Sequence, residues 1–224
     1  MITENWIHLI LGVVSFGAIL LAKNNQKKSE ENQQKMQDRK NLVKRIELFK
    51  NSSDFQHSIS PFILKLLEKY DQHEKVERKL SRQEIKNIEE KLELVLPESY
   101  KIFLKHFGDG GYWIFNQNID SLRNFSWFTD YQENKNVKIE LVREKEILVN
   151  TLLCLMTEDS NGGAWCWLTS EASKNGEWPL AYYSLSDKKL HYKVKNFTEW
   201  LKILTKNENE VIRGLDVDEK LGLG

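Results

Sequence analysis

The chain has 224 residues, 40% of them hydrophobic and 11% aromatic, with 33 Lys or Arg against 33 Asp or Glu, and only two cysteines. That length and apolar content exclude a disordered protein and admit one domain of ordinary size with accessory segments. Zero net charge gives the whole molecule no electrostatic case for nucleic acid, and Cys154 and Cys166 are too few for a disulfide framework, which favours a reducing compartment.

Residues 6–22, WIHLILGVVSFGAILLA, carry no formal charge. As a helix they would span roughly 25 Å, enough for a thin or locally adjusted bilayer. Leu9, Leu11, Phe16 and Leu20 would meet the acyl chains, with Trp6 at one interface and Lys23 at the other. A secretory signal fits less well, because Glu4 is the only charge before the run and no small-x-small cleavage site follows it. From Lys23 to Lys50 there are nine Lys or Arg against four Asp or Glu, leaving 24 against 28 beyond Lys50. The positive-inside rule then places everything after the span in the cytosol, and the later portion is mildly acidic. Residues 24–40 are polar and cannot bury a face, so they read as a solvated stalk or frayed helix. Leu42, Ile46 and Phe49 add a weak apolar stripe, suited to anionic lipid or to an ordinary linker helix.

Ser60 and Pro61 suit the start of a helix, and Ile63, Leu66, Leu67 and Tyr70 recur at helical spacing, which predicts a helix over 61–77. Ser81 with Glu84 is a capping box. Ile85, Ile88 and Leu92 give the helix behind it one apolar face. Pro97 ends that segment and opens another, in which Tyr100, Phe103, Leu104 and Phe107 share a side. Gly108 is available as a left-handed C-cap and Gly110-Gly111 as a tight turn, after which 112–115 read as a first strand. Val137, Ile139 and Leu141 alternate with Lys138 and Glu140, the period of a half-buried strand. Residues 152–156 are continuously apolar, as in a strand covered on both faces, and 165–168, 180–185 and 190–194 are further strands parted by turn-prone residues. Asn196 with Glu199 repeats the capping box for a closing helix whose buried face is Phe197, Trp200, Leu201 and Leu204. Helices, then strands, then one helix is an α+β order.

No nucleophile, base or metal set stands out. Cys166 and His191 would make a thiol pair only outside any protease signature, and five scattered histidines lack metal-ligand spacing. Asp109 and Asp159 would form a carboxylate pair if the fold joined them, although turn residues beside glycine explain both. The expectation is a protein that is not an enzyme and needs no cofactor and no metal.

The helix with spaced Ile, then LPESYKIFL, a Gly-Gly turn into an aromatic strand, SNGGAWCWL, GEWPLAYYSLSD and NFTEWL resemble, in that order, the SUKH superfamily over about residues 80–205. That superfamily is named after fungal cell-wall-synthesis regulators and is widespread in bacteria as immunity proteins against polymorphic toxins. The charged stretch 120–146 and the N-terminal third depart from its usual pattern. The resemblance implies an α+β SUKH-like domain with N-terminal helices, a central and mostly antiparallel sheet, and a C-terminal helix, preceded here by one transmembrane helix. The expected division is an anchor over 1–22, a basic stalk over 23–59, the domain with an added helix over 60–206 and a tail over 207–224. The resemblance also implies an immunity protein that occludes a toxin, or a regulator or scaffold of envelope synthesis, and the uncharged run 6–22 with the basic stretch behind it makes either one membrane-anchored and cytosol-facing. Aromatic anchors with acidic and polar neighbours at turns make Asp109, Tyr112, Trp113, Asp159, Asn161, Trp165 and Trp178 the candidate partner-binding residues.

Overall fold

A computed structural model describes residues 3–70, 79–114, 117–128, 136–155 and 163–206, with backbone alone for 3–22, 38, 69–70, 111–114 and 117–118. The chain forms two compact units, Met1–Leu48 and Phe49–Gly224. The first unit is helical: α1, Thr3–Lys50, is continuous over the expected stalk as far as Lys50, after which the stalk residues turn into the 3-10 segment Ser53–Gln56. Between Lys23 and Asn41 its described side chains are exposed, as a polar composition requires. Among the described residues no helix is long and apolar enough to cross a membrane. The side chains of Trp6, Leu9, Leu11, Phe16 and Leu20 lie outside the described residues, while Lys23 is exposed.

In the second unit, α2 (Ser60–Tyr70) buries Ile63, Leu66 and Leu67, and it packs on α5 (Phe197–Lys206). The added helix therefore packs within the second unit. It begins at Ser60 itself, whose hydroxyl donates to the carbonyl of Asp54, and the segment expected to extend it, 71–78, lies outside the described residues. Helix α3 (Arg82–Leu92) starts on the complete capping box: the Ser81 hydroxyl accepts the Glu84 N–H, and the Glu84 carboxylate accepts the Ser81 N–H at 2.8 Å. Its left-handed C-cap is Glu93, at φ 55°, a position that sequence reasoning would reserve for Gly or Asn. Helix α4 (Glu98–His106) follows Pro97, which occupies the N-cap and supplies no side-chain acceptor. The expected left-handed cap at Gly108 is not formed. Phe107 ends the helix in the right-handed region, and the positive-φ turn falls at Gly110, at φ +85°.

Among the described residues eight strands follow: β1 (Gly111–Ile114), β2 (Gln117–Ile119), β3 (Lys138–Glu140), β4 (Glu146–Leu148), β5 (Leu152–Cys154), β6 (Ala164–Leu168), β7 (Leu180–Ser184) and β8 (Lys189–Val194). β1 pairs with β2, β3 with β4, and the last four form an antiparallel sheet in the order β5-β6-β7-β8. This is the expected α+β architecture with a mostly antiparallel sheet and a closing helix. Both faces of the sheet are covered, so β6 reads AWCWL and is buried at every position. On the helix side, Trp167 meets Tyr100 at 5.2 Å and Phe197 at 5.5 Å between ring centroids, and Trp165 meets Trp200 at 6.2 Å. On the other side, Cys154, Cys166, Ala181, Tyr183 and Leu190 pack with Phe128, Ile139, Leu141, Ile147 and Val149, so the β3–β4 hairpin supplies the second lid. β8 is held to this hairpin by a parallel bridge between Leu141 and Leu190 and by the Val142 N–H donating to the Leu190 carbonyl, which limits its exposure as an edge.

Candidate functional site

The turn after α4 places Asp109 inside the protein, 1% exposed. Its Oδ1 accepts the Leu122 N–H at 2.8 Å, while Oδ2 accepts the Ser121 hydroxyl at 2.6 Å and the Arg123 Nε–H at 2.9 Å. Those three donors open the short 3-10 turn Leu122–Asn124, whose N-cap is Ser121. Asp109 thus ties the Gly turn to the segment beyond β2 and has both oxygens engaged, an arrangement that clamps backbone and offers no general base. The Arg123 side chain is 40% exposed, so its charge reaches the surface from a fixed root. A rooted planar guanidinium suits carboxylate recognition on a partner.

Beside this clamp, the Asp120 N–H donates to the Leu155 carbonyl at 2.8 Å and joins the end of β2 to the end of β5. Burial pushes the Asp120 carboxyl up to about 6. Burial likewise raises the Tyr100 phenol well above its ordinary value, helped by the negative charges of Asp109 and Asp120. The pairings Tyr183 with Ala164 and Tyr183 with Leu190 put the β7–β8 turn at this same end of the sheet. That end of the sheet thus carries Asp120 and, on the β7–β8 turn, the half-exposed Leu185 and Asp187, whose carboxylate lies 2.8 Å from His191 Nε2.

The candidate residues are placed unevenly. Tyr112 and Trp113 lie in β1, where the backbone alone is described, and Asp159 and Asn161 lie outside the described residues, so the Asp109–Asp159 pair does too. Trp165 and Trp178 are 4% and 3% exposed. Trp165 packs against Tyr182 and Trp200, and Trp178 stands edge-on to Trp167. Asp109 is thus engaged in its clamp, and Trp165 and Trp178 are enclosed by other aromatic rings. Cys166 and His191 are not brought together, since the Cys166 thiol lies against Cys154 in the core and His191 turns to Asp187. Among the described residues no group of His, Cys, Asp and Glu could hold a metal ion.

Sequence reasoning missed Asp120, Ser121 and Arg123, which stand in a polar stretch without periodicity, and Leu185, which was read only as the end of a strand and lies in the turn after β7. It also missed Glu177. That side chain is 8% exposed and takes the place of the absent cap on α4, its carboxylate accepting the Ser99 N–H at 3.1 Å and the Ser99 hydroxyl at 2.5 Å. The LPES and GEWP segments are thereby two halves of one buried contact.

No curated protein matches the chain. A family profile described as SUKH_6, SMI1-KNR4 cell-wall, matches residues 82–201, which is more than half of the sequence and runs from the first residue of α3 to the middle of α5. The capped α3, the α4–Gly turn, the doubly covered sheet and α5 are thus the matched unit, and the chain belongs to the SUKH_6 family of SMI1-KNR4 cell-wall domains.

Proposed function

We propose that this chain is a membrane-anchored immunity protein whose SUKH domain binds a toxin in the cytosol and blocks it by occlusion, without catalysis and without a cofactor. Family membership carries the reading, because it supports an SMI1/KNR4-like immunity or regulatory domain. Asp120, Arg123, Leu185 and Asp187 are the residues we assign to the partner, with the aromatic β1 segment Tyr112-Trp113 beside the Asp109 clamp. The uncharged run at 6–22 followed by a basic stretch supports an anchor that leaves the domain cytosolic. Co-expression with toxins encoded beside the gene tests the function: rescue of growth, lost in Arg123→Glu with Leu185→Asp, is expected. Failure to rescue from any of them would count against immunity. Deleting residues 2–22 should shift the protein from the membrane to the soluble fraction, and an unchanged distribution would remove the anchor.

A second reading, a membrane-tethered regulator or scaffold of cell-envelope synthesis, is favoured by the cell-wall description of the matched family. Affinity capture of the full chain discriminates the two, since a regulator would bring down envelope-synthesis or signalling proteins and an immunity protein would bring down a toxin.

A further inference from the structure

Cys154 and Cys166 are directly opposed across the antiparallel pair β5–β6. The neighbouring pair fixes the kind of opposition. The Leu155 N–H donates to the Trp165 carbonyl at 2.8 Å, so Leu155 and Trp165 occupy a hydrogen-bonded site and the cysteines next to them a non-hydrogen-bonded one. The Cys154 N–H accordingly turns away from β6 and donates to the Ser126 carbonyl at 3.0 Å. At such sites opposed Cα atoms are about 4.5 Å apart, within the range of about 4.4–6.8 Å that a disulfide spans. The two side chains leave the same face of the sheet and enter the same core cluster. Hydrogen bonding to Cys154 and burial hold the Cys166 thiol well above its usual range. The nucleophile that meets an oxidant first is then Cys154, 6% exposed, rather than Cys166, which is fully buried.

We propose that Cys154 and Cys166 form a cross-strand dithiol that closes to an intramolecular disulfide on oxidation by a peroxide or a small-molecule disulfide, stapling β5 to β6. With hydrogen peroxide, the Cys154 sulfur attacks one peroxide oxygen, the O–O bond breaks, and a sulfenic acid and water are formed. The Cys166 sulfur then displaces the hydroxyl of the sulfenic acid as a second water, and the two thiol protons leave in the two waters. With a small disulfide, two successive exchanges release two small thiols through one mixed disulfide. The staple joins strands already paired in the native ladder, so it closes a short loop without moving the backbone far and constrains the unfolded chain more than the folded one.

The test uses the full chain in mild detergent, reduced, then exposed to hydrogen peroxide or to oxidised glutathione in separate arms. Peptide mapping without reductant should recover a Cys154–Cys166 cross-linked peptide, two hydrogens lighter than the sum of its parts and separated again by dithiothreitol. Thermal unfolding of the oxidised chain should rise by about 5–10 °C over the reduced chain, as a short-loop disulfide in a domain of this size implies. Because wild-type protein is mapped directly, no variant has to fold. Cys166→Ala serves as the second arm, expected to stop at a Cys154 sulfenic acid or mixed disulfide. Recovery of both thiols unchanged, of intermolecular cross-links alone, or of a Cys154 sulfinic acid in wild type would each overturn the proposal.

Discussion

Asp109 and Asp120 are eleven residues apart and meet opposite fates. Asp109 has every acceptor position that matters filled by Ser121, Leu122 and Arg123, so replacing it by Ala strands a backbone N–H, a hydroxyl and a guanidinium at once. Asp109→Ala should lose about 3 kcal/mol in urea unfolding, the scale set by breaking a buried charged network; a loss below about 1 kcal/mol would show that water replaces the carboxylate cheaply. Asp120 has no such compensation, and its carboxyl is raised from 3.8 to about 6 by burial. The folded state therefore holds a proton that the unfolded state has released, and between about pH 4 and 6 this group makes stability fall as pH rises, with the full penalty present above 6. Asp120→Asn should remove that penalty and stabilise the protein at pH 7.5 by about 1 kcal/mol, a value reduced for the partial exposure of the group. At pH 4 the gain should vanish. Equal differences at both pH values would mean that the amide gains a contact of its own and that the proton is irrelevant.

At the scale of elements, local signals governed the helices and long-range packing governed the rest. Ser81 and Glu84 announce α3, and its face of Ile85, Ile88 and Leu92 is buried as their spacing demands. Ser81→Ala should cost about 1 kcal/mol, read as a lower urea midpoint with unchanged slope. The strands with alternating or continuous apolar sequence were equally legible, whereas β2 and β4 were not: QNI and EIL lie in no alternating or apolar run as long as those at 137–141 and 152–156, which revealed β3 and β5. The turn of α4 into β1 shows the limit of counting glycines. Gly110 rather than Gly108 takes the left-handed conformation, and a Cβ there would also come within 3.0 Å of the Ile119 carbonyl oxygen and 3.1 Å of the Ser121 nitrogen. Gly110→Ala should lose about 2 kcal/mol through strain and crowding, while Gly176→Ala, at φ +77° but with open space around it, should lose only the conformational part, about 1 kcal/mol. The site was less legible than the fold for a related reason. Asp109 was singled out as a turn residue, but its partners lie across a hairpin, and nothing local in Ser121 or Arg123 marks them as its donors. The burial of Trp165 was not legible, because a strand rich in aromatics reads alike whether one face or both are covered.

For the molecule as a whole, the helical first unit and the α+β second unit differ in what holds them. The described side chains of residues 23–41 of α1 are exposed and, Met36 apart, polar, so within that stretch the helix rests on its own hydrogen bonds and i,i+4 pairs such as Gln26 with Glu30 and Gln37 with Asn41. Their amides should exchange with solvent at least about 100-fold faster than those of β6 and β7, measured by hydrogen exchange with mass spectrometry. In the second unit the contact between Glu177 and Ser99 spans 78 positions. Since Pro97 leaves α4 without a cap of its own, its first turn is completed only when the strand-rich C-terminal half arrives. That ordering assigns the carboxylate to the late, native side of the folding barrier. Glu177→Gln should accelerate unfolding in a chevron experiment several-fold while leaving the refolding limb nearly unmoved, so a link that looks like ordinary packing acts as the latch that sets how long the folded domain lasts.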